Sequence, residues 1–280
     1  MRVINLIPRL DQSFKPTELI HITGHQSLSL NSRRAITILW HKAHLDGIEE
    51  GKDYKIEISE LCTDGHKGYE MATEAIVNLM QTLITMYLPD GTIRRVQFLG
   101  GNDMDSPDRP SGTLTYSFDR RLIDVLNDST IWGKISLPIL MALSSKYSVS
   151  LYENLAQWAG LSHKISQMLT LREFRDLMGV EESKYEAFGE LNKHVIKPCI
   201  ADINALAPFN ISALPIKTGR KVTSIRIGWW LKSPEESEAA FAEIRNTKSD
   251  RKARTSGQAS FVFDPSPSVA RITKKNRIKT

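Results

Sequence analysis

Residues 184–230 read KYEAFGELNKHVIKPCIADINALAPFNISALPIKTGRKVTSIRIGWW, a helical pattern that runs into two alternating strands. Phe188, Leu191, Val195, Cys199, Ile203 and Leu206 recur in steps of three and four. That spacing predicts a helix over Lys184 to Leu206 with one apolar stripe turned to a core. Pro198 lies inside it, and because proline lacks an N–H and crowds the carbonyl four residues back, a kink is expected after His194 and Lys197. Pro208 and Asn210 end the helix. Ile211 to Lys217 and Val222 to Trp230 then alternate with period two around Thr218-Gly219-Arg220-Lys221, which predicts a β-hairpin. Upstream, Ile165 to Thr170 reads as a short strand and Leu171 to Met178 as the helix preceding the long one.

The first half shows the same order of elements. Leu30, Ile36, Leu39, Trp40 and Ala43 recur at helical spacing behind the candidate caps Ser29 and Asn31. Tyr54 to Ile58 alternates as a strand, and Ser59 is placed to cap a short turn after it. A long helix is predicted from Tyr69 to Leu88, stopped by Pro89-Asp90-Gly91. Ile93 to Leu99 and Thr113 to Phe118 read as two strands joined by a long hairpin loop containing Gly100, Gly101, Pro107, Pro110 and Gly112. A short helix over Asp119 to Leu126, a break at Trp132-Gly133 and a helical region from Pro138 to Trp158 lead into the second half. Residues 1–28 have little periodicity and predict an arm with at most a short strand near Leu19 to Thr23. From Pro234 one more helix is expected.

Helix, strand, helix, helix, strand, strand, occurring twice, is the winged-helix plan, a helix-turn-helix backed by a β-hairpin. The expected fold class is therefore α+β, mainly α, with two tandem winged-helix domains. The expected boundaries are an N-terminal arm (1–28), a first domain (29–135), a second domain (136–245) and a basic tail (246–280), the tail expected to be disordered.

Composition agrees with two packed domains. The chain has 280 residues, 41% hydrophobic and 25% charged, which is an ordinary globular balance at twice the common domain length. The opening residues lack the apolar core of a signal peptide. Ala75 to Leu88 is too short and too polar to span a bilayer. Two cysteines, Cys62 and Cys199, stand in opposite halves, which is no disulfide framework and fits a reducing compartment. A cytoplasmic protein is expected, with no membrane partner. Of the formal net charge of +5, the segment from Asn246 contributes +7, leaving −2 for the rest. Binding by the folded part must therefore come from local patches.

Such a patch is expected in the second half. Lys193 and Lys197 lie four apart on the helix face opposite Val195, beside Glu186 and Glu190, which alone describes an exposed face with Glu-to-Lys pairs. The hairpin carrying Lys217, Arg220 and Lys221, with Lys184 at the helix start, favours double-stranded DNA as the partner. Recognition helices put N-terminal residues at base edges while wing residues grip phosphates. Ser183, Lys184, Lys193 and His194 are thus the candidates for base or groove contact, Arg220 and Lys221 for phosphate, with Lys197, Lys217 and Arg172 in the same set. In the first half the corresponding residues are Lys67, Arg94 and Arg95, with Arg33 and Arg34 on the first helix. Asn78, Gln81, Thr82 and Thr85 are expected as an uncharged exposed face for groove or protein contact.

Catalytic patterns are poor. His41 and His44 share a helix, but no third ligand has a clear place. Gly47 to Asp53 imitates a phosphate loop but is one residue short between glycines and lacks a hydroxyl residue after Lys52. A nicking enzyme would need a His-hydrophobic-His triplet, and His21-Ile-Thr-Gly-His25 has the wrong spacing. No enzyme activity, cofactor or metal is expected.

The second half contains, in order, Ser145-Lys-Tyr147, Leu151-Tyr-Glu153, Leu171-Arg-Glu-Phe174, Leu177-Met-Gly179, Tyr185, Phe188, Val195-Ile-Lys-Pro198, Asp202-Ile-Asn204 and Gly219-Arg-Lys-Val222. In these residues it resembles the iteron-binding plasmid replication initiators, the tandem winged-helix Rep proteins of theta-replicating plasmids. The resemblance covers some 85 residues, and the first half matches in element order alone. Where the family usually has an arginine before the Val-Ile pair, this chain has His194, preceded by Lys193, and Ser150 stands where an arginine commonly precedes Leu-Tyr. The resemblance implies a plasmid-encoded bacterial initiator that binds repeated origin sequences and recruits host helicase and initiator proteins. It also implies a self-associating form, a dimer that represses its own promoter at an inverted repeat, with the first domain serving dimerisation as well as DNA contact. The alternative is a dimeric winged-helix transcription regulator without an origin role.

Overall fold

A computed structural model describes residues 9–22, 24–61, 68–87, 90–104, 112–127, 129–161 and 165–246. Two separate hydrophobic cores organise them, one drawn from residues between Leu19 and Leu126 and the other from residues between Ile135 and Trp229.

The first core is surrounded by α1 (Thr17–Ile20), α2 (Leu30–Asp46), α3 (Ile58–Leu61), α4 (Gly68–Gln81) and α5 (Arg120–Asn127). Its strands are β1 (Gln12–Pro16), β2 (Tyr54–Glu57), β3 (Leu83–Tyr87), β4 (Ile93–Gln97), β5 (Leu99–Met104) and β6 (Thr113–Phe118). Ser29 caps α2 by accepting from the Ser32 N–H, as its position before the periodic run predicts. In α2, Arg33, Arg34, His41 and His44 are buried along with the apolar residues, so the helix is enclosed on several sides.

Five expectations change here. Leu19 and Ile20 belong to a helix rather than a strand. The predicted long helix stops at Gln81, and Leu83–Tyr87 is a strand antiparallel to β4. The expected pairing of Ile93 to Leu99 with Thr113 to Phe118 is replaced by β3–β4 and by a separate sheet ordered β2-β6-β5. Residues 100–104 of the predicted loop join Leu99 in β5. Where a break was expected, Trp132–Ser136 is β7, which pairs with β1 across some 120 residues of chain.

The second core contains α6 (Leu137–Ala142), α7 (Lys146–Ala159), α8 (Leu171–Met178), α9 (Phe188–Leu191), α10 (Lys197–Leu206) and α11 (Pro234–Arg245), with β8 (Ser166–Thr170), β9 (Phe209–Thr218) and β10 (Lys221–Leu231). The sheet order is β8-β10-β9. A reciprocal Thr170–Glu173 capping box starts α8, and Gly179, at φ +64°, ends it in the left-handed conformation that glycine adopts without strain. The predicted helix from Lys184 begins instead at Phe188. Between α9 and α10 the chain makes one π-helical turn, Asn192–Ile196. The wider turn gives the Pro198 ring room beside the His194 carbonyl, so the expected kink takes the form of a π-bulge.

The two cores are joined by buried polar contacts. Lys15 on β1 donates to Glu153 on α7 (2.7 Å) and to Thr37 on α2 (3.1 Å), and Thr37 also donates to Glu153 (2.8 Å). Arg33 donates to the Ser150 hydroxyl and to the His25 carbonyl, and Arg34 to the Leu143 carbonyl. The His25 Nε2–H donates to the Asp176 carbonyl at the end of α8 (3.1 Å). Arg33 and Arg34, expected on a DNA-facing surface, are therefore buried fasteners between the halves. Burial, reinforced by the Arg33 charge, pushes the His25 imidazole down to about 3, and burial brings Arg33 down to about 10.

Candidate nucleic-acid interface

The α8 helix, the turn after it and the α9–α10 rod form a helix-turn-helix, and β9–β10 stands beside it as the hairpin. Arg175 organises the turn by donating to the carbonyls of Glu181 (2.8 Å), Lys184 (2.6 Å) and Tyr185 (2.9 Å). Tyr185 takes φ +53°, uncommon for a residue with a side chain. Its ring stacks on His194 with centroids 5.4 Å apart and planes at 18°. His194 also meets the Glu190 carboxylate at 3.0 Å. Neither Arg175 nor Tyr185 was a sequence-level candidate. The one signal for Arg175 was a basic residue in the last turn of a helix, where it can reach free carbonyls.

Ser183 and Lys184 lie in this turn, ahead of the helix rather than on it, and Lys184 pairs with Glu181 (2.7 Å). That pair raises the Lys184 ammonium above the ordinary lysine range through its hydrogen bond and charge. Lys193 and Lys197 are exposed on the rod, while Leu191, Val195 and Cys199 on its other face are buried. Arg172 is exposed on the first turn of α8. Lys217, Arg220 and Lys221 are exposed at the hairpin tip, where Gly219 has φ +62° and Thr218 and Thr223 join their hydroxyls (3.1 Å). The hairpin is rooted on the rod by Asn204, which accepts from the Ile211 N–H (2.7 Å) and donates to its carbonyl (3.1 Å). Apart from Arg172 on α8, the second-half candidates thus form three exposed groups on adjoining elements: the turn, the rod and the tip.

The first-half set is less coherent. Arg94 faces inward in the row of buried Met86 and donates to the Arg121 carbonyl (3.0 Å), whereas Arg95 is exposed in the opposite row with Thr85. Lys67 lies outside the described residues. Of the expected uncharged face, Gln81 alone is exposed on α4. Asn78 accepts from the Ser29 N–H (3.1 Å) and the Ser32 hydroxyl (2.7 Å), Thr82 is buried at 3% exposure, and Thr85 is on β3. His41 and His44 are buried, His44 against Trp40 and Trp132. Among the described residues no group of three potential ligands gathers to hold a metal, and no helix is long and apolar enough to cross a membrane.

The fold and this interface define a tandem winged-helix DNA-binding protein. Residues 13–156 match the family described as initiator replication protein, WH1, and residues 170–229 match initiator Rep protein, WH2. The chain belongs to this family of plasmid replication initiators. Among solved structures, the crystal structure of the MSBI1.176 WH1 domain, a replication protein isolated from a multiple sclerosis patient, is similar at 16% identity over 40% of this chain and 91% of that one, with a TM-score of 0.29. No curated protein matches.

Proposed function

We propose that the protein initiates replication by binding direct repeats at a plasmid origin, with residues 136–245 as the principal DNA reader. The supporting observation is the adjacency, within one module, of exposed cations on the rod (Lys193, Lys197) and at the hairpin tip (Lys217, Arg220, Lys221). The rod enters the major groove with Lys193 and the Tyr185-supported His194 toward base edges. The tip lies along the phosphates, where lysine and arginine release counterions on binding. Ser183, Lys184 and Arg172 contact the backbone flanking the groove. Lys67 and Arg95 of the first module add weaker contacts, Arg94 being turned inward, and residues 29–135 also support a dimer that represses the protein's own promoter. Opening the duplex and recruiting host helicase and initiator proteins follow from origin binding.

A plasmid carrying only the gene and its flanking repeats tests this reading. Replication in a permissive host, with a footprint on direct repeats, is the expected result. Failure to replicate, with protection confined to an inverted repeat, would instead identify a promoter-bound transcription regulator.

A further inference from the structure

The sheet of the second module has one face in the core and one in solvent, and the solvent face carries a patch that the DNA reading does not use. Ile225, Ile227, Trp229, Leu169 and Ile211 point inward and are buried. By register, the outward rows are Met168–Arg226–Leu214, then Ser166–Gly228–Ser212, then Trp230–Asn210. Met168, Leu214 and Trp230 are 48%, 43% and 52% exposed, and Arg226 is exposed among them. The middle row has only small side chains, so the outer face has a shallow trough. Its walls are Trp230 on one side and Met168, Arg226 and Leu214 on the other. Rows on one face are about 7 Å apart, enough for an aromatic ring. Scattered exposed apolar residues are ordinary, whereas an aromatic, two aliphatic walls and a central cation facing one trough mark an interaction surface.

The chain itself contains a matching segment. Beyond Asn246, the only aromatic residues are Phe261 and Phe263, in Ser260-Phe-Val-Phe-Asp264, and Asp264 is one of two acids there against nine basic residues. Phenylalanine and valine in alternation suit an extended segment, and Pro265 and Pro267 bound it. Phe261 and Phe263 project to the same side of such a segment, with Asp264 next to them. Reach is ample. Helix α11 starts three residues after β10 ends and is rooted beside the trough, where Asn210 donates to Glu236 (3.1 Å). Its 12 residues cover about 18 Å, and the 15 residues from Asn246 to Ser260 can extend to about 50 Å.

We propose that Ser260–Asp264 docks in cis on this trough, with a phenylalanine ring against Trp230 and the Asp264 carboxylate toward Arg226. The basic residues that follow, Arg271 to Lys279, are then tethered to the sheet whose tip carries Arg220 and Lys221. For a linker of this length the effective concentration is on the order of 1 mM. Taken with a dissociation constant of about 0.2 mM, it occupies the trough about five-sixths of the time.

Hydroxyl-radical footprinting of the full chain, read by mass spectrometry, tests this. Replacing both rings (Phe261→Ser with Phe263→Ser) leaves the folded modules intact and should raise oxidation of Met168 and Trp230 about sixfold by that occupancy, with Leu83 and Leu45 unchanged. Added peptide spanning residues 256–268 should restore protection. Arg226→Glu should open the trough as the ring variant does, and pairing it with Asp264→Lys should close it again. Equal oxidation of Met168 and Trp230 with and without the two rings would overturn the proposal. Protection that appears only as protein concentration rises would also overturn it, by assigning the segment to a second copy's trough.

Discussion

Replacing Glu153 by glutamine tests how the two modules are held. The carboxylate is 6% exposed and accepts from Lys15 at 2.7 Å and Thr37 at 2.8 Å, and Arg33 is close enough to act on it electrostatically. Glutamine keeps the shape but removes the charge, leaving the Lys15 ammonium, 3% exposed, without its counter-charge. Stranding one member of a buried pair costs about 3–5 kcal/mol. In a protein of this size that corresponds to a Tm lower by on the order of 10 °C. Replacing the pair together, Lys15→Met with Glu153→Leu, should recover most of the loss, because neither charge then has to be desolvated. Calorimetry at pH 7 provides the reading. Since the pair bridges the two cores, Glu153→Gln should also separate a single unfolding transition into two. A Tm drop under about 3 °C, roughly 1 kcal/mol, or a double variant as unstable as the single one, would refute the reasoning.

Three further outcomes follow from the same contacts and from the hairpin. His25 titrates near 3 when folded against 6.5 as a free imidazole, so between these values the unfolded chain binds the extra proton and acid favours unfolding. Lowering the pH from 7 to 5 should cost about 2 kcal/mol through this group. His25→Gln keeps a donor for the Asp176 carbonyl but does not titrate, so urea denaturation should show a flatter pH profile for it. Gly179→Ala should destabilise by about 2–4 kcal/mol, from left-handed strain together with crowding against Arg33 and His25. Gly219→Ala has a similar φ but open space around its Cβ, so thermal melts should show a loss of only about 1 kcal/mol.

The second module was more legible in the sequence than the first, for physical reasons. The Phe188-to-Leu206 stripe, the Gly219 hairpin and the Leu171-to-Met178 helix are local signals, and each sits in the structure within a few residues of where its pattern places it. Leu83–Tyr87 was misread because leucine, isoleucine and methionine suit either a helix continuing from α4 or a strand, and the choice is made by pairing with β4. The β1–β7 pairing left no local trace, since its partners stand some 120 residues apart. Charge misled at Arg33 and Arg34, because sequence cannot show that carbonyls and hydroxyls from the other half are waiting for them. The same limit applies to the candidate interface. Lys193, Lys197, Arg220 and Lys221 follow from helix phase and turn chemistry, whereas the support of His194 by Tyr185 depends on a left-handed backbone that nothing in the sequence around it announces.

The proposed reading of DNA is tested most directly by measuring affinity for an origin repeat as a function of salt for the native chain, Arg220→Ala and Lys193→Ala. The account predicts that Arg220→Ala makes the log–log salt slope shallower by about one unit while preserving sequence preference. Lys193→Ala should leave the slope nearly unchanged and lose about 1–3 kcal/mol at one base position. Slopes and preferences that are the same in all three proteins would contradict it.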